Sequence, residues 1–399
     1  MQNDVAEMRN RNLSLCLLCF PFASPTMEIF LLNYLELVCP LCSPIFAITG
    51  GMNPRQTRCP ISFKDLGLKL HYVKDVRPLW WSVMLRGFKI LIIELKMAAE
   101  LFKIRRAVDV VTFCGTAYFS PSILLAKALR KKTSVLAWGL QYLSKEKTPA
   151  MMTTTERIDQ ATVKLSEKVA LRLADQIDVE SESATHFLGL EEYAEKIAIN
   201  GAPYIDRDLF LPTKPFDERN NVIGYVGRLH ESKGIMNFVG AIPLLIQRFK
   251  DLRFVIIGEG VLQERITDQL ERENVGNYVT CTGWVPHEAL PRYLNDLKIL
   301  VLPSYSEGLP GIVQEAMSCG VLVLATNVGA IPDMITDGET GFILEENSPG
   351  GIADSVSRII DNQNLTLIAR QAEQVVEKEY AYEAMVRKCA QSLGELVSP

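Results

Sequence analysis

Short apolar runs alternate with longer segments of mixed polarity along most of this 399-residue chain. In the first half the runs are roughly Leu13–Phe20, Ile45–Thr49, Leu68–Tyr72, Val108–Phe113, Thr133–Ala137, Gln176–Glu180 and Lys196–Ile199. Each has strand length and is followed by a helix-length stretch, and strands separated by helices predict a parallel, doubly wound sheet. A second set follows: Asn221–Val226, Arg253–Ile257, Val279–Cys281, Ile299–Leu302, Val321–Ala325 and Gly341–Leu344. The expected organisation is an N-terminal domain over 1–201, a linker over 202–220 holding three prolines and no period, and a C-terminal domain over 221–378. A final helical segment lies in 379–399, with no strand after it. In open sheets of this kind ligands bind beyond the carboxyl ends of the strands, so the expected site is a cleft between the two sheets.

Composition adds limits. Charged residues at 22% and apolar ones at 48% describe an ordinary globular protein, and a net charge of -5 argues against nucleic acid as the main partner. The charge is uneven: residues 1–219 hold 28 Lys and Arg against 24 Asp and Glu, residues 220–399 hold 14 against 23, so the halves are +4 and -9. An anionic surface should therefore meet the N-terminal half. The nine cysteines are scattered through apolar segments, which suits buried free thiols in a reducing, cytoplasmic compartment. Cys16, Cys19, Cys39 and Cys42 have zinc-like spacing, but Cys16 and Cys19 sit in a strand-like run that points them to opposite faces, so no metal is expected. Residues 29–49 are interrupted by Asn33, Glu36 and two prolines and make a poor membrane span.

The most informative stretch is V-L-P-S-Y-S-E-G-L-P-G-I-V-Q-E-A-M-S-C-G, Val301 to Gly320. It predicts a buried strand end, a polar turn and a helix opening at Pro310. The amides of Gly308, Leu309, Gly311 and Ile312 lie near that helix start, where unpaired N–H groups favour an anion such as phosphate. Glu315, within the helix, offers two acceptor oxygens to the hydroxyls of a ribose, and Glu307, in the turn, can reach hydroxyls beyond the phosphate.

Two glutamates separated by seven residues in the setting S-E-G-L-P-G-I-V-Q-E resemble the signature of retaining glycosyltransferase family 4, the glycosyl transferases group 1, which have the GT-B fold. The resemblance implies two Rossmann-like doubly wound parallel-sheet domains facing a cleft, with the last segment packed on the N-terminal domain. It implies a nucleoside-diphosphate sugar as donor, no cofactor and no catalytic metal, and transfer of a hexosyl unit to a hydroxyl acceptor, glycan or lipid-linked, with retained configuration. In N-V-I-G-Y-V-G-R-L-H-E-S-K-G, Gly227 turns the backbone, and Arg228 and Lys233 match the family cations that contact the leaving diphosphate. With Glu307 they form the expected catalytic set. Gly308, Leu309, Pro310, Gly311 and Glu315 are expected to bind the donor, and Trp284 and Val285, in C-T-G-W-V, to present backbone to the base.

Some positions depart from the family. Ala330 and Asp333 stand where glycine and glutamate are usual, the loop from Pro21 to Met27 lacks a glycine pair, and Thr112 to Cys114 and Trp138-Gly139 occupy the places where a histidine is often seen. A front-face transfer needs no dedicated base, because the departing phosphate oxygen can take the acceptor proton. Two other readings share the fold: a sugar-nucleotide epimerase, and a non-catalytic sugar-nucleotide-binding or scaffold protein. Asp206-Arg207-Asp208 has the D-x-D form of a metal site but lies in the linker and is expected to be a turn.

Residues 64–106 carry ten Lys and Arg against four Asp and Glu. Arg86, Lys89, Lys96 and Lys103 recur on one helix edge beside apolar faces, just after Trp80 and Trp81. The expectation is a helix packed on the sheet with a solvated basic edge, the alternative a peripheral patch at the inner membrane surface.

Overall fold

The computed structural model describes residues 2–19, 25–49, 60–66, 79–137, 154–200 and 204–398. They form two compact bodies, unit 1 over 1–203 with 385–399 and unit 2 over 204–384.

Unit 1 is built on seven parallel strands, β1 (Leu15–Cys19), β2 (Ile45–Thr49), β3 (Ile61–Asp65), β4 (Val110–Cys114), β5 (Lys132–Leu136), β6 (Gln176–Val179) and β7 (Ile197–Ile199), in the order β3-β2-β1-β4-β5-β6-β7. Its helices are α1 (Gln2–Asn10), α2 (Pro25–Val38), α3 (Leu79–Ile104), α4 (Ser120–Ala128), α5 (Thr154–Leu173) and α6 (Glu182–Phe187). Every residue of β1 and β4 is buried, the continuous apolar signature of strands covered on both faces. Cys16 lies in the core cluster, and none of the eight described cysteines forms a disulfide.

Two elements differ from the sequence expectation. The edge strand β3 has the half-polar sequence I-S-F-K-D, with Ser62 and Lys64 exposed, so it carries no apolar run to find. Gln2–Asn10 is helical although its apolar content is low. The run Leu68–Tyr72, most of the Pro21–Met27 loop and Trp138-Gly139 lie outside the described residues, as do the side chains of Trp80, Trp81 and Arg86.

Unit 2 holds the parallel sheet β10-β9-β8-β11-β12-β13, from β8 (Val222–Val226), β9 (Arg253–Ile257), β10 (Val279–Gly283), β11 (Ile299–Leu302), β12 (Leu322–Thr326) and β13 (Phe342–Leu344). Its helices are α7 (Ile235–Arg248), α8 (Gln263–Arg272), α9 (Leu290–Asp296), α10 (Gly311–Ser318), α11 (Ile331–Met334), α12 (Pro349–Ile360) and α13 (Leu365–Glu379). Residues 204–220, read from the sequence as linker, pack within this unit: Phe216 joins its core, and Asp206 Oδ1 accepts from the amides of Asp208 and Leu209 at 3.0 and 3.3 Å. That is an Asx turn, with Arg207 held by Glu373 and Glu377. The last helix, α14 (Tyr382–Val397), belongs to unit 1 from Met385, where Cys389 bonds Asn200 and Ser392 bonds the buried Asp178.

Candidate functional site

The sheet of unit 2 reverses its strand order between β8 and β11. These strands pair only through Ile223↔Ile299 and Gly224↔Leu300, then part, which opens a crevice where α/β sheets bind ligands. Two loops meet there. The first leaves β8 at Gly227, passes Arg228, and closes in a single 3-10 turn, Glu231–Lys233, before α7 begins at Ile235. The second leaves β11 and leads through Glu307 to α10.

Backbone contacts lock the loops together. Tyr305 N donates to Ser232 O at 2.9 Å, and a Cβ on Gly234, whose φ is 64°, would lie 1.8 Å from Pro303 O. Behind the second loop, Ala330 N donates to Gly308 O at 2.9 Å, and a Cβ on Gly329 (φ 58°) would lie 2.1 Å from Glu307 O. Only glycine permits these approaches.

The result is a close ion pair: Lys233 Nζ donates to Glu307 Oε1 at 2.7 Å, with the side chains 18% and 8% exposed. Charge-assisted bonds of this kind are among the stronger ones. Arg228 is exposed, makes no ion pair among the described residues, and its carbonyl accepts from the Tyr225 hydroxyl at 2.8 Å. Burial chiefly, and then the Glu307 carboxylate, raise the Tyr225 phenol well above its ordinary range, while Arg228 pulls it down.

The helix after Glu307 starts one residue later than expected. Pro310 is its N-cap, with φ -75° and ψ 105°, and Gly311 its first residue; no side chain caps the end. Val313 N donates to Pro310 O at 3.0 Å, and the amides of Gly311 and Ile312 are left to solvent or a ligand. Val313, Ala316 and Met317 face the core, and Glu315 lies at the edge.

Glu315 touches a residue the sequence reading missed. His287 Nε2 and Glu315 Oε1 are 2.7 Å apart, and the imidazole packs on Phe210 with ring centroids 5.1 Å apart. The hydrogen bond to Glu315 raises the His287 pKa, opposed by burial, with Glu288 and Asp206 adding smaller pulls. No local motif marks this histidine, because its partner stands 28 residues away.

Trp284 follows β10, its side chain exposed and its backbone N–H donating to Glu259 Oε1 at 3.3 Å. Glu259 O accepts from Leu229 N at 2.9 Å, so the ends of β8, β9 and β10 are tied in sequence. Lys233 and Glu307 are thus in contact, Gly227, Arg228 and Gly308 to Gly311 flank them, and Glu315 is held separately by His287. Among the described residues no three His, Cys, Asp or Glu side chains gather as a metal cluster.

Residues 206–378 match the family model of glycosyl transferases group 1. The chain is 31% identical over 141 residues to 2-deoxystreptamine N-acetyl-D-glucosaminyltransferase of Niallia circulans, covering 35% of this chain and 36% of the relative. It is 26% identical over 263 residues to alpha-D-kanosaminyltransferase of Streptomyces kanamyceticus, covering 63% and 67%. The matched stretches thus span about a third and two thirds of these curated relatives. Sucrose-phosphate synthase from Thermosynechococcus elongatus superimposes with a TM-score of 0.70 at 18% identity, covering 96% of this chain and 99% of that one. Anabaena HepE in complex with UDP gives 0.72 at 16% identity, covering 96% and 100%. The fold is GT-B, with two Rossmann-like doubly wound domains, and the chain resembles glycosyl transferases group 1 across residues 206–378.

Proposed function

We propose that this chain is a retaining glycosyltransferase of the family 4 type, moving a hexosyl unit from a nucleoside-diphosphate sugar to a hydroxyl on a glycan or a lipid-linked carrier. The observation that carries the reading is the 2.7 Å contact between Lys233 and Glu307 at the uncapped start of α10. It puts a cation, a carboxylate and unpaired amides within one crevice. The UDP held by HepE of the same fold supports a nucleotide donor.

In this reading the diphosphate enters between Arg228, Lys233 and the amides from Gly308 to Gly311. Lys233 exchanges the Glu307 carboxylate for a phosphate oxygen, and Glu307 is released to the sugar hydroxyls. As the glycosidic bond breaks, charge grows on the leaving diphosphate, where fixed cations and amides lower the barrier selectively. The phosphate oxygen takes the acceptor proton, so no separate base is required. Glu315 takes the ribose, and the backbone of Trp284 and Val285 the base. Two permanent cations at the diphosphate make a divalent metal unnecessary in this scheme. Cysteines without disulfides throughout the described residues favour a cytoplasmic location.

A thermal-shift screen of the whole chain against UDP-, GDP- and ADP-sugars tests the reading, each with EDTA and then with magnesium. A donor at 100 times its Kd stabilises by about 2.7 kcal/mol. The expected result is a shift with one nucleotide family, equal with and without metal, and lost in an Arg228→Ala/Glu315→Ala variant. No shift with any of them overturns it.

A further inference from the structure

Helix α3 is apolar on two opposite sides. At about 100° per residue, Ile93, Met97 and Leu101 fall on one side and are buried in the core of unit 1. On the other, Phe88, Leu91, Ile92, Leu95 and Phe102 share an arc about 100° wide. These five are between 36% and 61% exposed. Scattered exposed apolar residues need no explanation, but an apolar arc repeated over more than three turns marks an interaction surface.

The edge of the arc is basic. Lys89, Lys96 and Lys103, spaced seven residues apart, are all exposed along one flank, and Lys103 reaches Glu100 at 2.7 Å. The two acids of the helix lie off the arc: Glu94 is buried and Glu100 is the partner of Lys103. A solvated basic edge was the first expectation here and a peripheral membrane patch the alternative; the exposed apolar face fits the alternative.

We propose that this face of α3 docks on a membrane surface bearing anionic lipid headgroups. The complementarity is specific. Apolar side chains enter the headgroup boundary while the lysines on the flank stay with lipid phosphates, as in a helix lying in the interface. No helix among the described residues is long and apolar enough to cross a membrane, so the face lies on the bilayer rather than spanning it. A second copy seated antiparallel on the same arc would instead set the two lysine rows side by side with no carboxylate between them. The proposal stands independently of the transferase reading.

Flotation of the full chain tests it, with vesicles of phosphatidylcholine alone and with roughly one third phosphatidylglycerol, at low and high salt. The wild type should float with the anionic vesicles and release at high salt. Lys89→Gln/Lys96→Gln should weaken that binding about 25-fold, about fivefold per lysine. Leu91→Ser/Leu95→Ser should abolish it without changing the circular dichroism spectrum or melting temperature, the side chains being exposed; Phe102→Ser serves if that pair fails to fold. No flotation with either vesicle overturns the proposal, as does undiminished flotation of a folded serine variant. A dimer lost in the serine variants, without vesicle binding, also overturns it and assigns the face to a second copy.

Discussion

The two sheets share one strand order through six strands, β3-β2-β1-β4-β5-β6 in unit 1 and β10-β9-β8-β11-β12-β13 in unit 2, and they differ at the point where that order reverses. In unit 1 the central strands β1 and β4 stay paired over five residues, from Leu15↔Val110 to Cys19↔Cys114. Their ends are buried thiols, and burial with the neighbouring Cys19 holds the Cys114 thiol well above its ordinary range. In unit 2 the equivalent strands part after two pairs, and the loops beyond them bring in Lys233 and Glu307. Topology offers a crevice twice; an early end to strand pairing, with charge and glycine-tight loops beyond it, makes one of them a candidate anion site.

The largest expected effect comes from removing the cations of unit 2. In the Arg228→Ala/Lys233→Ala variant, kcat for donor turnover should fall by 10² to 10³, about 3–4 kcal/mol of transition-state stabilisation. A loss confined to KM would mean that the cations bind the ground state and transition state alike.

Next are the glycines that close the loops. Gly329→Ala forces a methyl group against Glu307 O and should cost about 3 kcal/mol in a denaturant titration. Gly115→Ala, after β4 in unit 1, meets nothing within 4 Å although its φ is 96°, and should cost about 1–2 kcal/mol from backbone conformation alone. Equal losses would erase the contrast between a loop packed for a site and one that is not.

The pH responses of the units should also separate. Asp178, buried in unit 1, is raised to about 6 by burial, against the bonds it receives from Gln176, Ser392, Asn200 and Ser134. A carboxyl with a raised folded pKa adds stability below about pH 4 that is lost as pH rises through about 6. Asp178→Asn should therefore flatten a decline on the order of 3 kcal/mol in the unfolding free energy from urea titrations made between those values.

The smallest expected effect is at His287. Its pKa is raised by Glu315, so the pair is intact below the ordinary histidine range and is lost as pH rises through the raised value. Glu315 is then released, and donor affinity should tighten with rising pH by at most about fivefold, the scale of an exposed ion pair. His287→Ala should remove that slope in a titration with the donor.

Most of unit 2 was legible in the sequence, because its strands leave short apolar runs: Arg253–Ile257 and the fully buried Ile299–Leu302 have those bounds in the structure. Gly227 to Gly234 and Glu307 to Glu315 were legible as loop chemistry, since glycine, proline and charge cluster there. Their pairing was not. Lys233 and Glu307 are 74 positions apart, and Lys233 was read toward the diphosphate and Glu307 toward the sugar, with nothing to say that each neutralises the other. His287 was silent for the same reason. Unit 1 was harder to read at its edge, where β3 alternates with polar residues, and at α3, whose exposed apolar arc looks in sequence like a second buried face.

Hydrogen exchange of the whole chain, with and without saturating nucleoside diphosphate, tests the central claim most directly. The account predicts slowed exchange in residues 227–234 and 308–312, and none at the ends of β1 and β4. Protection that appears in unit 1 instead, or that is unchanged by Arg228→Ala/Lys233→Ala, would contradict it.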